Sequence, residues 1–234
     1  MKIGPVLMIP LISALFVSLL ELHAEDPCGK LPVIEELRVM SFTRTHNIPA
    51  FSKMMNTLHG PERESWERAQ AFYNESKFQE ALAEGEGLLQ RQPENIYAIE
   101  LLARIHYRMN QDYRKRIDLA KPLYEELTQR LQSVEISDDI DPKTVIYYDM
   151  VDVYWKLGTL YLDQEMYDRA IVNIYRAVYV FKATNTQNPR AWFQMNLYLV
   201  EAFYKTNDKE RNNYQYCIFK QSFPSSTEAD RYKL

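Results

Sequence analysis

Three small residues constrain the fold of this chain more than any other feature. Gly158, Ala170 and Ala177 stand twelve and then seven residues apart in KLGTLYLDQEMYDRAIVNIYRAV, and the bulky Leu157, Tyr161, Tyr167 and Ile174 crowd around them. The stretch 69–89, AQAFYNESKFQEALAEGEGLL, has the same design. Ala69 and Ala81 are again twelve apart, and Phe72 and Phe78 take the places of Tyr161 and Tyr167. Two helices joined by a short turn approach closely only where their side chains are nearly absent, so paired small positions predict helix hairpins. A hairpin alone hides only one side, so self-similar hairpins predict a stack. Six glycines in 234 residues, with 46% apolar residues, favour helices over a β-sandwich.

The repeat runs further in weaker form. Residues 151–182 supply Tyr154, Leu157, Gly158, Tyr161, Ala170 and Ala177, and residues 62–95 supply Ala69, Phe72, Ala81 and Pro93. A unit from Ile96 shows Leu102, Ala103 and His106, then an insertion before Ala120 and Tyr124, and Pro122 argues against its second helix. Residues 193–226 form a degenerate unit with Leu199, Phe203, Tyr216 and Phe223-Pro224. These residues, at a period of about 34, resemble the tetratricopeptide repeat (TPR) family. The resemblance implies an all-α fold of antiparallel helix hairpins stacked into a right-handed solenoid. In it Gly158 faces Ala170, Ala69 faces Ala81, and Ala177 meets the next hairpin.

Other segments flank the repeats. Residues 1–24 have one Lys, a long apolar run and Leu22-His23-Ala24, the pattern of a secretory signal cleaved after Ala24. The alternative is an uncleaved membrane anchor. Either way the remainder is exported, to the periplasm or the medium. Residues 25–61 read as an N-terminal segment and helical cap, with stripes from Val33 to Met40 and from Phe51 to Leu58. Units one and two occupy 62–132, an acidic linker 133–143, and units three and four 144–234. The linker, with Asp138, Asp139 and Asp141, lacks the glycine and closing glutamate of a calcium loop. Cys28 and Cys217 have the option of pairing in an oxidising compartment. Pro27 and Glu25 do not fit a lipid-attachment signal at Cys28, and Asn74-Glu75-Ser76 is a glycan acceptor triplet.

The chemistry expected of an enzyme is missing from the pattern. Gly85-Glu86-Gly87 is too short for a phosphate cradle, no Gly-x-Ser-x-Gly elbow occurs, and His46, His59 and His106 are not at metal-ligand spacing. The reading is therefore no enzyme, no metal and no cofactor. The formal charge of −4 gives no basic excess for nucleic acid. What the resemblance implies instead is a groove lined by the first helix of each unit. It assigns Arg63, Trp66, Gln70, Tyr73 and Asn74 in the first unit. The second gives Tyr97, Glu100, Arg104, Tyr107 and Arg108; the third gives Asp152, Trp155, Thr159, Leu162 and Asp163. Trp, Tyr and Arg dominate binding hot spots. The expectation is an adaptor that holds a peptide or partner protein, within a membrane-associated assembly or secretion complex. Its binding residues are Trp66, Gln70, Tyr73, Tyr97, Arg104, Tyr107, Arg108, Trp155 and Thr159. The alternative is a capped cavity for a small ligand or for catalysis. If the signal is cleaved as expected, N-terminal sequencing of the mature protein begins at Glu25; a sequence beginning at Met1 establishes the anchor.

Overall fold

Among the described residues eight α-helices are arranged in pairs: α1 (Gly60–Asn74), α2 (Phe78–Arg91), α3 (Ile96–Met109), α4 (Tyr113–Arg130), α5 (Val145–Asp163), α6 (Tyr167–Ala183), α7 (Pro189–Lys205) and α8 (Lys209–Ser222). A 3-10 turn, Asp230–Tyr232, follows. The structure is a computed structural model and describes residues 28–30, 60–110, 112–130, 145–183 and 185–234. Among these residues there is no strand. The expected signal, N-terminal cap helices and acidic linker lie outside the described residues. The chain divides into two compact units, Met1–Lys30 and Leu31–Leu234. Of the first, Cys28 is half-buried, and Gly29 is exposed with φ of 81°. The eight helices belong to the second. Cys28 and Cys217 are both disulfide-bonded. No described helix is long and apolar enough to cross a membrane.

Each helix packs against the next in sequence, and the leading helices α1 and α3, and α5 and α7, also touch. The reason is visible in the small residues. Ala69, Ala81, Ala170 and Ala177 are fully buried. A Cβ added at Gly158 would stand 2.5 Å from Ile174 Cγ1, 3.1 Å from the Ile174 nitrogen and 3.3 Å from the Ala170 carbonyl oxygen. Gly158 and Ala170 therefore face each other across the α5–α6 hairpin, and the Ile174 side chain, with α6 backbone close behind it, occupies the space a side chain at Gly158 would need. The large residues fill what remains. Tyr154, Leu157, Tyr161 and Ile174 belong to one buried cluster that runs from α3 to α7.

The turns repeat as the helices do. Lys77, Met166 and Asp208 donate their backbone N–H to the carbonyls of Phe72, Tyr161 and Phe203, each at 2.9–3.0 Å. The preceding Ser76, Glu165 and Asn207 have φ of 62°, 59° and 55°. This is the left-handed helix stop in which a backward bond satisfies the last free carbonyls. The stop after α6 is the same, with Asn185 at φ 46° and a Thr186-to-Phe181 bond of 3.1 Å. Starts are capped by Asn95, Asn188 and Asp208, whose side chains accept from backbone N–H groups of the first turn. Pro189 sits in the first turn of α7, where its missing N–H costs nothing.

Two elements differ from expectation. Pro122 does not end a helix: α4 runs through it from Tyr113 to Arg130. Pro122 is exposed, while Ala120, Tyr124 and Leu127 are fully buried. Burial of that face outweighs one lost backbone bond. The degenerate final unit is a full hairpin, α7–α8, that meets its crossing differently. Val200 and Asn212 stand where the other hairpins have small residues. The Asn212 amide, fully buried, donates to the carbonyls of Val200 at 3.0 Å and Tyr232 at 2.8 Å and accepts from the Leu234 N–H at 3.0 Å. A short polar chain adds to it: Tyr175 donates to Gln215 at 3.2 Å, and Gln215 donates to Asn196 at 2.7 Å.

Two glycine substitutions separate packing from propensity. Gly158→Ala forces apart α5 and α6 and lowers unfolding free energy by about 1–3 kcal/mol. Gly87→Ala, whose new Cβ has Arg91 Nη1 as its nearest neighbour at 3.5 Å, raises it by about 0.5–1 kcal/mol. Urea denaturation of both variants checks the pair of signs.

Candidate functional site

The leading helices α1, α3, α5 and α7 each send side chains to one cavity of about 530 Å³. Tyr73 comes from α1; Arg104, Tyr107 and Arg108 from α3; Asp152, Trp155 and Lys156 from α5; Arg190, Ala191 and Gln194 from α7. Helix α4 adds Arg116 and Tyr124, and the α7 cap Asn188 closes the wall. Alternation of leading and trailing helices brings these distant residues together. The helical period does the rest, since Arg104 and Arg108, or Asp152 and Lys156, are one turn apart on one face.

Among the described residues five cations line the space, against one carboxylate in its wall, Asp152. Most of them rest on aromatic rings. Arg104 and Arg108 lie 4.8 and 5.1 Å from the Tyr73 ring centre, Arg116 and Lys156 lie 4.9 and 4.7 Å from that of Tyr107, and Lys156 lies 4.0 Å from that of Trp155. Such contacts hold a cation in a low-dielectric place without neutralising it. Arg116 also donates from Nε to the Asn110 carbonyl at 2.6 Å, which fixes its direction.

Behind this wall lies a buried acid–base group. Glu100, 3% exposed, is ion-paired with Arg104 at 2.6 Å. Burial pushes the Glu100 carboxyl up to about 7, against the pull of Arg104; Asp152 pushes it in the same direction. Burial raises Asp152 and lowers Lys156, and each of the two partly offsets the other's shift. Burial also raises Tyr124, so its hydroxyl is neutral and a donor. That hydroxyl is fully buried and has no hydrogen-bond partner among the described residues, and the Trp155 indole N–H is likewise buried and unpartnered among them. Buried donors left this way cost about 1–3 kcal/mol each, a cost that an acceptor bound beside them would remove.

Of the nine residues that the resemblance assigned to binding, Tyr73, Arg104, Tyr107, Arg108 and Trp155 line the cavity. The other four stand elsewhere. Tyr97 is 3% exposed and sits in the core, with Trp66 edge-on to it at 6.0 Å. Trp66 is half-buried and bridges two apolar clusters, because α1 and α3 lie against each other there. Gln70 is half-buried outside the cavity wall. Thr159 turns its hydroxyl back to the Trp155 carbonyl at 2.9 Å. Arg116, Tyr124, Lys156 and the α7 end are additions. The signal for Gln194 was available, since it holds the place in the fourth unit that Asp152 holds in the third. The chain matches no protein-family model and no curated protein sequence.

The Glu100 shift has a definite sign. A carboxyl raised in the folded state stabilises most below its unfolded value near 4.5, and this contribution is lost as pH rises through about 7. Relative to Glu100→Gln, the wild type therefore loses stability between pH 5 and pH 8. Urea midpoints of the two proteins across that window measure it, and parallel curves contradict the assignment.

Proposed function

We propose that this protein is an exported adaptor of the TPR kind, a stack of helix hairpins that holds a partner protein by an anionic segment and does no chemistry itself. One observation carries the reading: all four leading helices contribute to one cavity, and that cavity is cationic in a chain of net charge −4. The inner faces of the leading helices are where a repeat of this type binds. The repeated turns, the small residues at each crossing and the packing of leading helices on one another support the repeat architecture. The signal-like residues 1–24 and the disulfide-bonded cysteines support an oxidising, exported setting. Aromatic rings beneath the cations supply contact area at small entropic cost.

A second reading is favoured by one feature. The cavity has the volume of a small-molecule site and is walled on a further side by Arg116 and Tyr124 of the irregular helix α4. On that reading the occupant is a free anionic metabolite and the protein delivers or senses it.

A photo-crosslinking residue at position 194, in the cavity wall, and one at 213, exposed on α8, distinguish binding here from binding elsewhere. Activated in living cells, position 194 is expected to yield one discrete protein adduct that position 213 does not. Adding Arg108→Glu is expected to reduce that adduct at least tenfold, the size of a lost charge-assisted contact. An adduct indifferent to Arg108→Glu rules out the cavity as the partner's site.

A further inference from the structure

We propose that the cavity takes a doubly charged tetrahedral oxyanion, a phosphate monoester, bound at the amino end of α7 by Arg108, Arg190, Tyr124 and Trp155. The inference rests on the reading that this cavity is the binding site, and it names the chemistry that the site recognises.

An indole N–H and a guanidinium only donate, and the buried Tyr124 hydroxyl is neutral, so the unspent groups require an acceptor. Arg108 and Arg190 have no carboxylate within ion-pair distance among the described residues. The α7 helix, 17 residues long, opens on the cavity with Asn188, Arg190 and Ala191 of its first turn in the wall. Its aligned peptide dipoles add partial positive charge there and favour an oxyanion.

Charge then decides between a carboxylate and a phosphate. The five cations of the wall are opposed by Asp152 and by Glu100 behind Arg104, which leaves three positive charges. A single carboxylate answers one of these and offers its acceptors in one plane. A phosphate monoester carries nearly two negative charges at neutral pH and directs three oxygens to different sides. The donors come from α3, α4, α5 and α7, which surround the space rather than lie in one plane. At about 530 Å³ the cavity also holds an organic body beyond the phosphate, against the rings of Tyr107 and Trp155. Binding a dianion beside Lys156 would also offset the burial that now weakens its hold on a proton.

Calorimetric titration of the disulfide-intact protein with four probes tests this: phenyl phosphate, benzoate, a phosphoserine hexapeptide, and the same peptide with glutamate. Phenyl phosphate is expected to bind at least about tenfold more tightly than benzoate, and Arg190→Gln and Tyr124→Phe each weaken it by about tenfold or more. Tyr124→Phe removes only a buried, unpartnered hydroxyl, so its urea midpoint is expected not to fall, which separates lost binding from lost folding. Binding of the phosphopeptide without phenyl phosphate assigns the group to a partner protein; the converse assigns it to a small ester, and both support the oxyanion site. Measurable binding of benzoate as tight as that of phenyl phosphate, or of the glutamate peptide as tight as that of the phosphopeptide, overturns the dianion inference and leaves the adaptor reading standing. Phosphate binding unaffected by both variants places the anion elsewhere and also overturns it. Failure of all four probes removes the dianion site and the anionic-segment reading together.

Discussion

Backbone meets backbone where Gly158 passes α6, and the rest of the molecule is arranged around that closeness. A Cβ at Gly158 would collide with Ile174 Cγ1 and crowd the Ile174 nitrogen and the Ala170 carbonyl. Because α5 and α6 lie so near, Tyr154, Leu157 and Ile174 close over the contact and are buried. Packing at this density transmits a small displacement instead of absorbing it. A shift at the α5–α6 crossing therefore moves Asp152, Trp155 and Lys156, which sit on the same α5 helix two turns or less from Gly158. The scaffold and the cavity are thus one mechanical object.

The final hairpin shows that close approach is one solution among several. There the crossing contains Asn212, and its amide is saturated by three backbone groups. A buried amide is costly when partly satisfied and specific when fully satisfied. The chain after α8 is held by the same residue that joins the two helices. The turn geometry survives this change of chemistry, since Asn207 and Asp208 repeat the stop seen at Ser76 and Glu165. Hairpin identity therefore resides in the turn and the helix lengths as much as in the small residues.

Much of this was legible in the residues. The twelve-residue step from Gly158 to Ala170 dictated which backbones face each other, because only a close crossing requires two small residues at that interval. The step from Arg104 to Arg108 placed both on one face of α3. What could not be read was context. Nothing in the sequence near Tyr97 distinguishes a groove tyrosine from a core tyrosine; that depends on α1 lying against α3 and bringing Trp66 to it. Pro122 misled because the loss of one bond is local, whereas burial of Ala120, Tyr124 and Leu127 depends on helices far away in sequence. Tyr124 and Arg116 reach the cavity for the same reason.

The gathering of five cations in one cavity has an effect on what can come near it. The described residues carry 23 basic and 23 acidic side chains, so with three net positive charges held inside, three net negative charges remain on the others. At physiological salt, fields fade within about 8 Å, so an approaching molecule responds to the nearest surface first. Beyond the cavity the described residues offer a long polyelectrolyte no cationic excess to hold it. A compact anion, or a short anionic tip on an otherwise neutral body, crosses the same zone at little cost and then feels the attraction within. The charge layout behaves as a sieve that sorts anions by extent.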